Sequence, residues 1–402
     1  MAQRIGIHIF EVLFQHSFHM KETFNLVSLL DTLGLVQGVL LGIMLILIHS
    51  RKRKAVLYLG LFIILFSLEP LENIFHELGV LQKWPHLILL PVSFHFLAYP
   101  LFYIYLQKIS ILEDERPSYW TMVPGFLELI VGVVVFFLPL HIKTWIKDSN
   151  AMLIYFLLGM GYSLFIQILA LKWIVRHRTE LENQYSLLLH RNLKWSTYFI
   201  YASIVFSMLF LLTFLTDDRS VYIVYSAVNV VLIYWISYQG FAQQNVSPLY
   251  HLTAIQNTDK LGPSISQKMD NAQEKEPHHP KGTTISADEQ KMFRQVLDRI
   301  QDHMVKSRCF TKEDLTIVDV SEAIHEHPRR ISQSINSLLG TNFNNYINSF
   351  RVEYAKELFS SDQCKNLSIE GIGMEAGFHS KSTFYAAFKK IEGTTPAKLR
   401  PE

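Results

Sequence analysis

The chain has little charge and almost no cysteine. Only 18% of its 402 residues are charged, against roughly 25% in typical soluble domains. Long apolar runs fill residues 27–241, whereas the sequence after residue 286 has the composition of an ordinary soluble domain. This uneven distribution excludes a single soluble globule and a disordered chain. With only two cysteines, Cys309 and Cys364, the sequence supports neither a disulfide framework nor a Cys-based zinc site.

Motifs that carry catalysis are also missing. The sequence has no phosphate-cradling glycine loop, no kinase-like nucleotide motif, no convincing nucleophile elbow and no metal-spaced set of His and Glu residues. We therefore predict that the protein is not an enzyme and that it carries no cofactor and no metal.

The apolar part of the sequence is typical of membrane-spanning helices. A helix that crosses a hydrocarbon core of about 30 Å needs about 20 mostly apolar residues. Seven runs meet this length, at residues 26–48, 55–75, 87–107, 121–140, 151–174, 195–216 and 221–240. The sequence therefore predicts an all-α chain with a seven-helix membrane domain over residues 26–241.

Basic residues predict the direction of these spans. Short cytoplasmic loops carry an excess of Lys and Arg, and the densest basic block, HSRKRK at residues 49–54, follows the first span. We therefore predict that the N-terminal segment, residues 1–25, lies outside the cell. Seven spans then leave the C-terminus in the cytoplasm, as expected for a multi-pass protein of a bacterial inner membrane.

One set of polar side chains within the spans could form a site. Glu69, Glu72 and His76 fall at i, i+3 and i+7, on one face of a helix that Pro70 should kink. Intramembrane ionisable groups are costly to keep, which favours a ligand or proton site. The alternative is that Glu72 and His76 lie at the outer interface, where water solvates them.

A polar linker separates the two parts of the chain. Residues 242–285 are rich in Pro, Gly, Asn, Gln, Lys and His and cannot bury a core. A flexible coil of this length reaches roughly 35 Å on average. We predict a flexible cytoplasmic tether.

The C-terminal part, residues 286–402, begins a second helical domain. Within it, residues 319–340 read as a short helix, a polar turn and a second helix that starts at Pro328 and ends at Gly340. Ile331, Ile335 and Leu338 recur on the inner face of this second helix. Its outward residues are Arg329, Arg330, Ser332, Gln333 and Asn336. This is the pattern of a helix-turn-helix unit.

The same plan repeats about 50 residues later, in residues 368–393. Gly377 supplies the turn, Ser380 caps the second helix, and Phe384 and Phe388 form its inner face with Ile391. The polar or aromatic residues at the start and on the outward face of this helix are Ser380, Lys381, Ser382, Thr383, Tyr385 and Lys389. A long amphipathic helix at residues 345–360 should hold the two units at a fixed separation.

These segments resemble a known family. The paired units, the sequence of residues 340–359, the AGFHSKSTFYAAFKK run at 376–390 and the closing GTTPAKLR at 393–400 look like the DNA-binding domain of arabinose-type (AraC-type) regulators. The resemblance covers about residues 290–400. It implies a seven-helix fold with two recognition helices in successive major grooves of DNA. By position, it implies DNA contacts from Arg329, Ser332 and Gln333, and from Lys381, Ser382 and Thr383.

Two residues depart from the family pattern. Gly373 stands where the family usually has alanine, which should loosen its helix by about 0.5–1 kcal/mol. Ala386 stands where the second recognition helix often carries a polar residue, which should reduce base readout by that unit. The membrane part is also unlike the family's usual soluble sensor domain.

The sequence therefore predicts a membrane-anchored transcriptional regulator that couples a signal to gene expression. Its expected partners are double-stranded DNA, the lipid bilayer, a second copy of the chain on DNA, and an unknown signal molecule or membrane partner. One alternative is a membrane transporter or receptor whose cytoplasmic helical domain is a regulatory or protein-interaction module.

Overall fold

The computed structural model describes residues 25–49, 54–112, 117–188, 193–216, 218–242, 287–361 and 367–399. The predicted linker lies outside these residues except for Ala242, as does the N-terminal segment except for Asn25. The chain divides into two compact units, one of residues 1–176 with 193–246 and the other of residues 177–192 with 247–402. The described residues form helices and no β-strand beyond an isolated bridge between Tyr185 and Thr316, which confirms the all-α prediction for this part of the chain.

The first unit is built from apolar helices. Its α-helices are α1 (Leu26–His49), α2 (Ala55–Leu68), α3 (Leu71–Glu77), α4 (Val80–Lys83), α5 (Ala98–Ile109), α6 (Val123–Phe136), α7 (Leu140–Asp148), α8 (Asn150–Gln184), α9 (Lys194–Thr216) and α10 (Arg219–Ala242). The residues between Leu68 and Leu71 interrupt the helical run at Pro70, as the sequence predicts. Large apolar side chains such as Leu40, Leu47 and Phe137 point outward and are more than half exposed.

The prediction of seven long spans is only partly correct. Within the residues that the structure describes, six helical stretches are long and apolar enough to cross a membrane. The third predicted span, residues 87–107, is instead a helix only from Ala98 onward, and the 12 residues of α5 rise only about 18 Å. Pro91 contributes no backbone N–H, and Leu89 has a left-handed φ of 57°, so the preceding residues do not form a helix. The apolar character of α5 has another cause, because 11 of its 12 residues are buried within the unit.

Side chains satisfy the backbone of this unwound segment, which we define as residues 88–97. The backbone N–H groups of His95 and Phe96 each donate to the Glu128 carboxylate at 3.1 Å. The Ser163 hydroxyl donates to the His95 carbonyl oxygen at 3.0 Å. Since buried backbone groups need partners, Glu128 and Ser163 replace bonds that a continuous helix would have made.

Close helix contacts and aromatic rings form the core of the first unit. A Cβ atom on Gly42 would lie 2.9 Å from the carbonyl oxygen of Gly60, so the backbones of α1 and α2 meet at two residues without side chains. Phe62, Phe102 and Phe199 are fully buried, with ring centroids 5.0–5.8 Å apart.

The second unit contains the C-terminal domain. Its helices over residues 287–399 are α11 (Ala287–Ser307), α12 (Ile317–Ile324), α13 (Pro328–Leu339), α14 (Phe343–Phe359), α15 (Ile369–Glu375), α16 (Lys381–Glu392) and α17 (Pro396–Leu399). The described residues of this range thus form seven α-helices, the number that the family resemblance implies, and a 3-10 helix at Cys309–Thr311. One apolar core contains Ile331, Ile335 and Ile347, and a second contains Val352, Phe384 and Phe388. Because α14 contributes to both cores, it fixes the separation of the two helix-turn-helix units.

Candidate functional site

The helix predicted to be the first recognition helix, α13, is defined at both ends by its own sequence. His327 is the N-cap, and its Nδ1 accepts a hydrogen bond from the backbone N–H of Arg329 at 3.2 Å. Pro328 occupies the first helical position, and Gly340 ends the helix with a left-handed φ of 62°. These are the positions that the sequence predicts, and they fix where the outward side chains begin.

The outward face of α13 carries the predicted reading residues. Ile331 and Ile335 are fully buried on the opposite face. Asn336 is exposed, whereas Ser332 and Gln333 are half-buried. The Asn336 amide donates to the Ser332 hydroxyl and to the Asn183 side-chain oxygen, at 3.3 Å in both cases. Arg329 is exposed at the first turn, on the same face as Gln333 and Asn336 by helical spacing.

Arg330 has a different environment. Its guanidinium donates to Glu326 at 2.9 Å, and Arg299 donates to the other oxygen of the same carboxylate at 2.5 Å. Burial raises the pKa of Glu326, but the hydrogen bonds from the two arginines outweigh burial and hold the pKa below its ordinary value. Arg330 therefore joins α13 to α11 within the domain, and a role in reading bases would require it to leave this pair.

The second helix-turn-helix unit depends on a glycine turn. Gly377 has a φ of 94°, and a Cβ atom there would lie 2.7 Å from the carbonyl oxygen of Thr311. No other residue type fits without moving the backbone. After this turn, Ser380 caps α16 and forms a capping box with Thr383, whose hydroxyl accepts from the Ser380 backbone N–H at 3.3 Å.

Several of the residues predicted on the outward face of α16 also make contacts within the domain. Ser382 and Lys389 are exposed, whereas Thr383 is exposed but also engaged in the capping box. Lys381 lies 3.8 Å from Glu370 and 5.8 Å from the Tyr385 ring centroid. Ile391, expected on the inner face, is 42% exposed; the residues of α16 that pack in the second core are Phe384 and Phe388, with Tyr385 and Ala387 partly buried against it.

Sequence reasoning missed a buried arginine that supports the first helix-turn-helix unit. Arg351 on α14 is 2% exposed. Its guanidinium donates to the carbonyl oxygens of Phe310 and Lys312, at 2.7 and 2.8 Å. Burial lowers its pKa to about 10, so it stays charged at neutral pH. Its position on an otherwise apolar stripe of the helix is the only signal that the sequence offers.

A separate cavity of about 50 Å³ lies in the first unit. Its polar lining includes Glu69 and His95, and its apolar lining includes Phe94, Phe206 and Tyr225. Glu69 Oε1 lies 3.3 Å from His95 Nδ1. His95 Nε2 is buried and has no hydrogen-bond partner among the described residues. The cavity thus forms beside the unwound segment.

The residues predicted together with Glu69 lie elsewhere. Glu72 and His76 belong to α3 and do not line the cavity, and His76 is exposed. Because the helix is interrupted at Pro70, Glu69 does not belong to the same helix as Glu72 and His76. Within the residues that the structure describes, no group of three His, Cys, Asp or Glu side chains is arranged to hold a metal.

Comparison with known proteins identifies the C-terminal architecture. Residues 320–402 match the family model described as "Helix-turn-helix domain". Residues 320–402 are therefore similar to helix-turn-helix domains. This match supports the predicted AraC-type resemblance over these residues.

Curated relatives are similar over about a quarter of the chain. YisR of Bacillus subtilis (strain 168), described as an uncharacterized HTH-type transcriptional regulator, is 37% identical over 90 residues, which are 22% of this chain and 30% of YisR. SACOL0084 of Staphylococcus aureus (strain COL), with the same description, is 30% identical over 107 residues, 26% of this chain and 13% of the relative. The chain therefore spans less than a third of the length of these relatives, and they support a DNA-binding regulator.

One solved structure is also similar. A protein of unknown function from Listeria innocua matches with 27% identity and a TM-score of 0.22, over 27% of this chain and 92% of that one.

Proposed function

We propose that this chain is a membrane-anchored, sequence-specific transcriptional regulator. The observation that carries the proposal is the pair of capped recognition helices, α13 and α16, held on one shared helix in a chain that also contains six long apolar helices. DNA and membrane must then share a compartment, which fits a bacterial inner membrane with the C-terminus in the cytoplasm. Relatives that are HTH-type regulators support the DNA-binding half.

The proposed DNA contacts divide by chemistry. Arg and Gln side chains can read guanine and adenine edges, so Arg329, Gln333 and Asn336 are the proposed readers. Lysines and hydroxyl groups mainly contact phosphates. In the second helix-turn-helix unit we assign phosphate contacts to Ser380, Lys381, Ser382, Thr383, Tyr385 and Lys389. In the first helix-turn-helix unit we assign a phosphate contact to Ser332, and to Arg330 only after it leaves Glu326.

Two substitutions test this division. Arg329→Ala should relax base preference and cost about 1–3 kcal/mol on the preferred sequence. Lys389→Ala should weaken binding to all duplexes alike and reduce the salt dependence by about one phosphate contact. The measurement is binding of the purified chain to selected and scrambled duplexes over a range of salt. Lys306→Ala, on α11, is the control and should change neither property.

Binding as a pair of copies completes the DNA-binding proposal. Residues 286–402 contain 16 Lys and Arg and 16 Asp and Glu, so bulk charge gives little affinity for DNA. Two copies on tandem sites would gain affinity from effective concentration. Full-length protein that is cross-linked as a dimer should bind a two-site duplex more tightly than a one-site duplex; equal affinities would contradict pairing.

For the membrane half, we propose seven crossings, the third made by the unwound segment followed by α5. Non-helical backbone is tolerated at membrane depth where it is buried in protein. The bonds from Glu128 and Ser163 to this backbone support such a crossing. A crossing of this kind keeps the basic block at residues 49–54 and the C-terminus on the cytoplasmic side.

We propose that the signal binds in the cavity beside the unwound segment. If His95 Nδ1–H is directed at Glu69, Nε2 of the neutral ring is a hydrogen-bond acceptor inside an aromatic lining. These properties fit a small apolar molecule with a hydroxyl or amine group. Glu69→Gln and His95→Ala should abolish the response of a reporter gene, whereas Glu72→Gln and His76→Ala should retain it. The reverse pattern would favour a site at the predicted face of α3.

The runner-up function is a transporter or receptor with a regulatory cytoplasmic domain. The unwound segment beside a cavity that contains Glu69 and His95 favours it, since broken helices often mark intramembrane binding sites. Solute flux into vesicles that contain the chain, with no change in DNA occupancy on loss of the membrane half, would support this function.

A further inference from the structure

The second unit includes a segment that lies far from the helix-turn-helix domain in sequence. We define residues 177–188 as the docking segment; it comprises the last turns of α8 and the residues that follow. Leu181, Tyr185 and Ser186 are buried. Since a loop between two apolar helices is ordinarily solvated, burial of these residues requires an explanation.

Hydrogen bonds attach the docking segment to the first helix-turn-helix unit. The Ser186 backbone N–H and hydroxyl both donate to the Leu315 carbonyl oxygen, at 3.1 and 2.6 Å. Asn344 at the start of α14 donates to the carbonyl oxygens of Ser186, at 2.6 Å, and Tyr185, at 3.3 Å. The buried Arg351 also reaches the Ser186 hydroxyl at 3.2 Å. Backbone groups of the segment therefore have specific partners on the domain.

Two further contacts involve the polar end of α8. Asn342, the N-cap of α14, donates to the Glu182 carboxylate at 3.0 Å. Asn336 donates to Asn183 at 3.3 Å. Asn336 belongs to the outward face of α13, between Arg329 and Ser332 around the helix. The docking segment thus reaches the proposed DNA-reading face of the first helix-turn-helix unit.

A docked segment and bound DNA would compete for this space. The major groove is only about 12 Å wide and accepts one helix with little room beside it. A helix end within hydrogen-bond distance of Asn336 occupies volume that base edges need. The contacts described above involve the first helix-turn-helix unit and none of them involves α16. Docking would therefore block one of the two proposed recognition helices, α13.

We propose that the docking segment is an autoinhibitory latch that blocks the first recognition helix until a signal releases it. The inference rests on the proposed DNA-binding function and adds its mode of regulation. The segment continues α8, whose N-terminal part is an apolar span, so a rearrangement of that span has a covalent route to the latch. A latch that is closed nine-tenths of the time lowers the apparent DNA affinity about tenfold.

A cross-link tests the latch directly. In a full-length chain with Cys309→Ser and Cys364→Ser, Glu182→Cys and Asn342→Cys introduce one thiol on each side of the contact. We expect a short thiol cross-linker to join them within one chain. The joined protein should bind a fluorescent mixed-sequence duplex at low salt at least about tenfold more weakly than the same protein left unjoined. Glu353→Cys with Lys356→Cys, both on α14, is the control pair and should change nothing on cross-linking.

A release variant provides an independent measurement. Asn344→Ala removes both hydrogen bonds to the segment's carbonyl oxygens and should bind the duplex more tightly than the wild-type chain. Asn348→Ala is the matched control, because Asn348 lies one turn further along α14 and bonds to Asn344 rather than to the docking segment. It should leave the affinity unchanged.

The outcomes separate the latch from the function on which it rests. Failure of the cross-link to form, or equal affinities of the joined and unjoined forms with DNA binding retained, would overturn the latch alone. Absence of duplex binding in the wild-type, unjoined and Asn344→Ala proteins would overturn the DNA-binding function and the latch with it.

Discussion

Gly373 fits beside Phe384 because it has no side chain. A Cβ atom at this position would lie 2.6 Å from Phe384 Cδ1 and 2.8 Å from Cγ. Phe384 is fully buried and packs against the rings of Phe378 and Phe388, so it has little freedom to move. The helix propensity that alanine would add is therefore opposed by a steric cost that the sequence alone does not show.

The effect of Gly373→Ala follows from this comparison. Alanine gains about 0.5–1 kcal/mol of helix propensity, but overpacking a core typically costs about 1–3 kcal/mol. We expect net destabilisation of the second helix-turn-helix unit, measured as faster hydrogen exchange of the α15 and α16 amides in the full-length chain. Gly371→Ala is the control, since its nearest contact is 3.4 Å away; it should slow exchange or leave it unchanged. Slower exchange in Gly373→Ala would show that Phe384 can adapt.

Glu128 is a second residue whose role depends on tertiary structure. Its carboxylate accepts from two backbone N–H groups and from the Tyr155 hydroxyl, at 2.6 Å. Its role was not predictable from the sequence, because no local pattern connects it with residues 95 and 96.

Replacing Glu128 should destabilise the first unit in a graded way. Glu128→Ala leaves two buried N–H groups without their partner, at about 1–3 kcal/mol each, whereas Glu128→Gln keeps one acceptor oxygen. The midpoint of thermal unfolding in detergent should fall in the order wild type, Gln, Ala. Glu72→Ala should have little effect, and an equal loss in all three variants would contradict this account.

At the scale of elements, helix ends were predictable and their partners were not. The turn at His325–His327, Pro328 and the terminal Gly340 define α13 as the sequence predicts, because capping depends on neighbouring residues. The length of α5 was not predictable from hydropathy. An apolar run is the same whether it faces lipid or lies inside a bundle, and only tertiary packing distinguishes the two cases.

The N-cap of α13 should make the stability of the first helix-turn-helix unit depend on pH. His327 accepts through Nδ1, which requires the neutral ring, and burial together with Arg330 and Arg329 lowers its pKa below the ordinary 6.5. The unfolded chain thus takes up a proton at a higher pH than the folded chain. Stability is present above pH 6.5 and declines as the pH falls toward the lowered folded-state pKa.

His327→Asn should remove this dependence, since asparagine caps helices without titrating in this range. We expect the wild-type chain to lose up to about 1 kcal/mol of α13 stability on acidification. The measurement is hydrogen exchange of the α13 amides between pH 7.5 and 5.5, corrected for intrinsic exchange rates. A pH dependence that persists in His327→Asn would assign it to another group.

At the scale of the whole molecule, the number of crossings remains the testable point. Leu78 and Pro117 flank the unwound segment and α5. If this stretch crosses the membrane, Leu78→Cys should react with an impermeant thiol reagent from outside intact cells, and Pro117→Cys should react only after permeabilisation. Labelling of both from one side would mean that residues 88–109 enter and leave by the same face, leaving six crossings.

The sequence was sufficient for the helical class, the two helix-turn-helix units and the apolar part, because each of these depends on local periodicity. It was insufficient for Arg351, for the cavity beside His95 and for the docking segment. Asn183 and Asn336 are 153 positions apart, and no feature of either residue's neighbourhood in sequence indicates that they meet.

Because α14 is shared by both cores, the spacing between the two reading helices is a property of the protein and not of the DNA. Inserting one base pair between the two recognised subsites would shift one of them by about 3.4 Å and rotate it by about 35° around the duplex axis. A rigid reader has no hinge with which to follow that rotation. Genomic sites for this protein should therefore keep an invariant interval between their two halves, even where the bases inside that interval vary.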